Sequence, residues 1–279
     1  MQPDRKAIER DHFEEQADDA KRRGGPAVGL KTIRPALRAP YELVDRWMAR
    51  NAAGKVLMDY GTGLGMHIVG PARHGAKVVG LDISPGSCEV AAELCRREGV
   101  GDRASFVVGD AETLPFADRS LDVVMSFGTL PTLNVDTAAS ELARVTKRQG
   151  SVVIVDTLGH NPVLNFYRRG HLRNGRRTRW EVDHILRFSD IDRLRQRFAR
   201  AEVHYFDFLT LPFYPLAGRA DAETPGWLRV VQRIDRWLLG LPGLNRLAFK
   251  FVCILSEPIG EERRRAPADA SEPKLVAVG

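Results

Sequence analysis

The sequence has few of the features that mark secreted, metal-binding or membrane-spanning proteins. It holds three cysteines, Cys88, Cys95 and Cys253, and neither their odd number nor their spacing suits a disulfide framework or a zinc site. No run approaches the roughly 20 apolar residues that span a bilayer, and the charged N-terminal segment contains no apolar signal core. We therefore expect a cytoplasmic protein with no transmembrane segment, no disulfide and no metal site.

One segment carries the basic surplus of the chain. The formal net charge is +6, yet residues 160–200 alone hold eleven arginines against four acids, so the remainder of the chain sums to −1. Such a segment can be a solvated basic face, or it can attract a phosphate, a carboxylate or a lipid headgroup. The sequence leaves both interpretations open.

Short apolar runs alternate with stretches of helical spacing along most of the chain. The runs that predict strands lie at 55–60, 77–82, 104–110, 121–127, 150–156, 201–211 and 247–258. Alternation with helices of 10–15 residues indicates βαβ units and a parallel sheet. The first five runs are continuously apolar, which is typical of strands covered on both faces.

The remaining segments predict the domain organisation. We expect, in chain order, a helical cap over 1–53, a nucleotide-binding core over 54–158, a basic lid over 159–188, a completion of the sheet over 189–258 and a disordered tail over 259–279. Ser189 is a suitable N-cap for a helix that follows the lid. Residues 227–241 have an apolar stripe at helical spacing with arginines opposite, which predicts packing against the domain or a second subunit, and peripheral membrane contact is the alternative.

A glycine-rich loop follows the first predicted strand. In VLMDYGTGLG, Asp59 ends the strand and Gly61, Gly63 and Gly65 follow it. Glycines let the backbone turn sharply and approach a ligand, and they expose N–H groups ahead of the next helix. A nicotinamide or flavin site would have a small residue where this chain has Met66.

Two further acids occupy the ends of the next two predicted strands. Asp82 lies 23 residues after Asp59, where a carboxylate accepts hydrogen bonds from ribose hydroxyls. Asp110 ends the third strand and suits an exocyclic adenine amine, with Ala111 against the ring. Because ligands of such sheets bind at the carboxyl ends of the strands, the loop and the acids together predict a nucleoside site.

Four successive motifs, DYGTGLG, VVGLDIS, GDAETLPFADRSLDVVMS and ELARVTKRQGSVVIVD, carry a family resemblance over about residues 40–158. In order and spacing this chain resembles the class I S-adenosylmethionine (SAM)-dependent methyltransferases, within the broad group that includes ubiquinone- and menaquinone-biosynthesis methyltransferases. The resemblance implies a Rossmann-like, doubly wound α/β fold with a mostly parallel seven-stranded sheet of order 3-2-1-4-5-7-6 and helices on both faces. It also implies SAM as cofactor, S-adenosylhomocysteine as product and no metal.

The same resemblance implies roles for residues of the predicted site. The cofactor-binding residues would be Asp59, Gly61, Gly63 and Gly65 at the methionine part, Asp82 and Ile83 at the ribose, Asp110 and Ala111 at the adenine, and Phe127 near the methionine or the target. Two departures from the group concern substrate inference. Tyr60 replaces a small residue or cysteine, and 128–133 lacks the usual histidine or aromatic residue.

The predicted chemistry is methyl transfer to a small molecule by in-line displacement, with O-methylation of an anionic or lipid-linked acceptor. Proton removal from a hydroxyl needs a base, and His184 is the first candidate and His160 the second. Alternatives are a catalytically silent SAM-binding or scaffold protein and a methyltransferase acting on RNA or protein. No aromatic-interleaved basic motif indicates a nucleic-acid partner. Met66 and Asp110 argue against an NAD-dependent oxidoreductase, and a homodimer is compatible with the sequence.

Overall fold

Seven strands form one mixed sheet in a computed structural model that describes residues 4–161 and 178–259. The strands are β1 (Val56–Tyr60), β2 (Lys77–Asp82), β3 (Ala104–Val108), β4 (Leu121–Phe127), β5 (Thr146–Thr157), β6 (Phe198–Phe206) and β7 (Lys250–Pro258). Their order is β3-β2-β1-β4-β5-β7-β6, as predicted. The first five strands are parallel, whereas β7 is antiparallel to both β5 and β6.

Helices cover both faces of this sheet. They are α1 (Arg5–Arg22), α2 (Ala39–Asn51), α3 (Val69–Arg73), α4 (Pro85–Arg97), α5 (Val135–Val145), α6 (Arg179–Asp183), α7 (Phe188–Arg195) and α8 (Gly226–Leu239). Short 3₁₀ turns lie at Leu30–Thr32, Pro35–Leu37, Gly101–Arg103, Leu130–Thr132, Leu211–Phe213 and Leu244–Leu247. The predicted N-cap at Ser189 is wrong, because the N-cap is Arg187, two residues earlier, and the Asp190 carboxylate accepts from the Arg187 amide.

Alternate residues of the central strands feed two separate cores. On one face Leu57, Val123 and Val153 pack against α2, α3 and α4. On the other face Met58, Val124 and Val152 pack with α5 and α7. Strands buried on both faces explain the uninterrupted apolar runs of the sequence.

The three cysteines are free and buried, and Cys88 and Cys95 both lie in α4, as their seven-residue spacing predicts. Among the described residues, no helix is both long enough and apolar enough to cross a membrane. The predicted tail beyond residue 259 and much of the predicted lid lie outside the described residues.

Candidate functional site

A cavity of about 260 Å³ lies at the carboxyl ends of the parallel strands, where the strand order reverses between β1 and β4. One side consists of strand-end residues, which we call the floor: Gly61, Thr62, Gly63, Asp82, Ile83, Asp110, Ala111, Phe127, Gly128 and Thr129. The opposite side consists of α1 and α6 residues, which we call the roof: Arg5, Lys6, Glu9, Phe13, Gln16 and Glu181. This is where ligands of doubly wound sheets bind.

The glycines of the loop have different structural roles. All three have positive φ, which explains why the turn requires glycine. A Cβ on Gly63 would meet no protein atom within 4 Å, so this residue leaves open space on the cavity side. A Cβ on Gly65 would come 2.6 Å from that of Ala91, so Gly65 permits close packing of α4 and does not line the cavity.

The carboxylates of Asp82 and Asp59 differ in their access to the cavity. Asp82 lines it, and its two oxygens accept from the amides of Gly63 (2.8 Å) and Ser84 (3.0 Å). Asp59 lies beneath the loop, is 1% exposed and accepts from the Thr62 hydroxyl at 2.7 Å. Burial raises the pKa of Asp59 to about 7. Asp82 therefore faces a ligand, whereas Asp59 supports the loop from below.

The third strand end is already paired with the roof. Asp110 accepts from the Lys6 ammonium through one oxygen and from the Glu112 amide through the other. Arg5 also pairs with Glu112, at 2.6 Å. The departure at Tyr60 has a structural explanation here, because its buried hydroxyl donates to the Ala111 carbonyl at 2.6 Å and fixes the chain beside Asp110. The Asp110 carboxylate and the start of α1 are therefore linked.

Two carboxylates of the roof approach the cavity. Glu9 is 4% exposed, and one of its oxygens accepts from the Thr178 hydroxyl at 2.6 Å. Its other oxygen, Oε2, has no hydrogen-bond partner among the described residues. Burial raises the pKa of Glu9, and the nearby Glu181 carboxylate adds to this effect. Glu181 itself completes a capping box with Thr178.

A stack of aromatic rings separates this cavity from a second one. The His67 ring stacks on Phe127 with centroids 3.8 Å apart. The Tyr41 ring is nearly parallel to both, with its centroid 5.8 Å from that of His67 and 6.2 Å from that of Phe127. Burial, followed by the charge of Lys250, lowers the pKa of His67 to about 4, so its imidazole is neutral at pH 7. The second cavity, about 600 Å³, shares Met66, His67 and Phe127 with the first. Its other walls are mainly apolar, from residues 28–33, α2 and α3.

The two candidate bases of the sequence do not line either cavity. His184 is exposed, stacks on Trp180 with centroids 3.5 Å apart, and places Nδ1 3.0 Å from the Trp180 carbonyl. His160 accepts from the Phe188 amide at Nε2 and stacks on the Phe188 ring. Of the basic segment, Arg168, Arg169, Arg173, Arg176 and Arg177 lie outside the described residues.

Among the site residues that sequence reasoning missed are the roof residues and His67. Lys6, Glu9 and Phe13 lie about 100 positions before Asp110 in the chain and belong to no motif, so only tertiary packing brings them to the cavity. Glu181 had a local signal, because TRWE is a capping-box pattern that indicates a helix start. In residues 4–161 and 178–259, no cluster of three or more His, Cys, Asp or Glu side chains could hold a metal ion.

Comparisons with known proteins agree with this geometry. Residues 58–154 match the family described as "Methyltransferase domain". Demethylmenaquinone methyltransferase of Thermobifida fusca is 42% identical over 113 residues, which are 40% of this chain and 47% of that protein. Sterol 4-C-methyltransferase strm-1 of Caenorhabditis elegans is 31% identical over 105 residues, 37% of this chain and 31% of that protein. The matched stretch thus spans less than half the length of either relative.

Solved structures extend the likeness to the whole fold. The cyclase SpnF aligns with a TM-score of 0.60 at 19% identity, over 92% of this chain and 98% of that one. A geranyl diphosphate C-methyltransferase of Streptomyces coelicolor, crystallised with S-adenosylhomocysteine, aligns with a TM-score of 0.56 at 16% identity, over 80% and 78%. These likenesses confirm the predicted fold, and the family match over residues 58–154 agrees with the resemblance predicted from the motifs. The cofactor of this family is SAM.

Proposed function

We propose that this chain, a class I SAM-dependent methyltransferase by its core domain, transfers a methyl group to a small, largely apolar acceptor. The observation that carries the proposal is the floor, where a glycine loop and the two carboxylates of Asp82 and Asp110 meet at one cavity. The residues fit a nucleoside. Gly63 leaves room for close approach, Asp82 suits ribose hydroxyls and Asp110 with Ala111 suits adenine.

Bound SAM would supply a methyl group already activated by its sulfonium. The residues of the chain then have to hold the acceptor in line, exclude water and take up a proton where the acceptor is a hydroxyl. The roof excludes water, because α1 covers the cavity from Arg5 to Gln16. Phe127 and His67 form the wall between the two cavities and would orient the acceptor.

We assign proton uptake to Glu9 as part of the same proposal. Its Oε2 atom is buried without a partner among the described residues, and Glu9 lines the cavity. The raised pKa makes its carboxylate a stronger base than an exposed glutamate. With Glu9 as the base, the acceptor would be a hydroxyl group and the reaction would be O-methylation. His184 and His160 stay predictions, and each would have to move from its present stacking partner in order to act.

The second cavity is the proposed acceptor site. It is more than twice as large as the first, mainly apolar, and separated from it only by shared side chains. An apolar or lipid-linked acceptor fits this lining better than an anionic one, because among the described residues its charged wall residues are confined to Asp45 and Arg73.

Calorimetric titration with SAM, S-adenosylhomocysteine and NAD tests the cofactor assignment. We expect binding of the first two and none of NAD. Asp82→Ala should weaken SAM binding by roughly 100-fold, since both lost acceptor atoms belong to a charged group. Asp122→Ala is the control, because its carboxylate also bonds a backbone amide (Val56) but lies at the other end of β4. Equal losses in both variants would refute the site.

A transfer assay with methyl-labelled SAM then tests the acceptor class. Apolar phenols and prenylated alcohols should be methylated in preference to their phosphorylated counterparts. Label transferred only to phosphorylated acceptors would contradict the assignment of the second cavity, while leaving the cofactor assignment intact.

A further inference from the structure

Helix α8 has apolar side chains on two sides: Leu228 and Leu239 are buried against the domain together with Gln232 and Asp235, and a second apolar set faces solvent. Along Gly226–Leu239 and the next turn, the exposed apolar residues are Trp227, Val230, Ile234, Trp237 and Leu241. Trp237 is 66% exposed and Val230 is 55% exposed. These five positions follow helical spacing, so they form one continuous stripe, which we call the α8 stripe. The sequence predicts packing against the domain or a second subunit. In the structure Leu228 and Val231 pack on the domain, whereas the α8 stripe is exposed.

Buried polar residues explain why the helix docks with this orientation. Asp235 is 2% exposed, and its carboxylate accepts from the amides of Asp207, Phe208 and Leu209 at 2.6–3.3 Å, which caps the backbone after β6. Gln232 donates to the Pro35 carbonyl at 3.0 Å. Because these bonds fix the inner face of the helix, exposure of the α8 stripe is a consequence of specific contacts.

The exposed charges of helix α8 itself are all positive. Arg229, Arg233 and Arg236 are exposed and lie along one flank of it. The only acid of the helix, Asp235, is buried on the opposite face. Phe213 packs edge-on against Trp227, which links the start of the stripe to the turn that holds the exposed Leu216. The result is an apolar ridge with tryptophans at both ends and a cationic border.

We propose that the α8 stripe and its arginine flank bind the surface of an anionic lipid bilayer. Interfacial helices of this kind bury Trp, Ile and Val at the headgroup boundary while Arg and Lys pair with anionic lipids. A second copy of the chain fits less well. A two-fold interface places identical patches together, and α8 has no exposed acid to pair with the arginines of its partner.

Helix α8 is connected to the segment that lines the second cavity. Gln232 is bonded to Pro35, which follows the segment 28–33 that lines the second cavity. Arg34 also stacks over the Tyr214 ring at 4.7 Å. A membrane on the outer face of α8 would therefore be separated by this one helix from the segment that follows the wall of the apolar cavity.

Co-sedimentation of the full chain with vesicles tests the proposal without any activity assay. Vesicles of phosphatidylcholine with phosphatidylglycerol should bind the protein, and vesicles of phosphatidylcholine alone should bind it far more weakly. Tryptophan emission should shift to the blue on binding, because Trp227 and Trp237 leave water. Equal binding to both vesicle types, or none to either, would overturn the proposal.

Matched variants locate the contact. Val230→Glu should weaken vesicle binding by about tenfold, whereas Val108→Glu, at a site of nearly equal exposure on the opposite edge strand, should not. Replacing Arg229, Arg233 and Arg236 by Gln should weaken binding to anionic vesicles by roughly 100-fold. The control variant replaces Arg46, Arg50 and Arg148 by Gln. These arginines are also exposed, and their replacement removes the same total charge.

Sedimentation velocity without lipid tests the alternative that a second copy of the chain covers the α8 stripe. A monomer whose vesicle binding follows the variants above supports the proposal. A dimer that Val230→Glu dissociates would instead assign the α8 stripe to contact between copies and overturn it.

Discussion

The floor and the roof of the cavity are held by different kinds of interaction. The floor is fixed by the parallel ladder of β1, β2 and β4 and by loop amides bonded to Leu81 and Asp82. The roof is held by side-chain pairs between segments far apart in sequence, such as Lys6 with Asp110 and Thr178 with Glu9. Backbone geometry therefore determines where a cofactor binds, and a few side chains determine what covers it.

The strongest test of the floor compares two glycines with the same backbone constraint. Gly63 and Gly54 both have positive φ, and a Cβ on either would meet no protein atom within 4 Å, but only Gly63 lines the cavity. Gly63→Val and Gly54→Val should both lose about 1–2 kcal/mol of folding stability through strain. Only Gly63→Val should abolish SAM binding in calorimetry. If Gly63→Val still bound SAM, the loop would not be part of the cofactor site.

A test of the roof compares Glu9 with the histidine predicted from the sequence. Glu9→Gln should lower turnover by roughly 100-fold, because general base catalysis contributes about 10²–10⁴-fold. His184→Ala should change turnover by less than about twofold, since it lies outside both cavities. Initial rates with labelled SAM at saturating acceptor measure both. A larger loss in His184→Ala would show that the segment around α6 rearranges when substrates bind.

The support beneath the floor can be tested by pH. The pKa of Asp59 is raised from 3.8 to about 7 in the folded chain, so folding favours its neutral form. Its ionisation therefore costs no stability below pH 4, costs more as pH rises, and reaches its full cost above pH 7. Asp59→Asn removes this cost. The variant should gain on the order of 4 kcal/mol relative to the wild type between pH 4 and pH 8, as measured by urea unfolding. A pH-independent difference would contradict the raised pKa.

The smallest expected effect concerns the attachment of the roof to the floor. Lys6→Ala should speed SAM dissociation by roughly threefold, since a partly exposed ion pair contributes less than about 1 kcal/mol. Lys21→Ala is the matched control, because Lys21 belongs to the same helix and pairs with the exposed Glu89 outside the cavity. Stopped-flow displacement by excess S-adenosylhomocysteine measures both rates. Identical rates for the two variants would mean that α1 does not retain the cofactor.

How much could be predicted from the sequence follows from the same contrast. The strand order and the placement of Asp82 and Asp110 at the cavity follow from local patterns, because short βαβ connections bring successive strand ends to one edge. The cover could not be predicted in this way. Nothing near Glu9 or Lys6 in the sequence indicates a partner at Thr178 or Asp110. Helix α8 shows the converse limit. Its apolar period follows from the sequence, but the tertiary contacts of Asp235 and Gln232 help to determine which face is buried.

The ring pair of His67 and Phe127 is a wall common to two chambers. A ligand in either cavity that shifts these rings changes the shape of the other cavity. By thermodynamic reciprocity, if the first ligand raises the affinity for the second by some factor, the second raises the affinity for the first by the same factor. The order in which the two ligands bind then has no influence on their combined free energy of binding. It can change the rates at which each ligand binds.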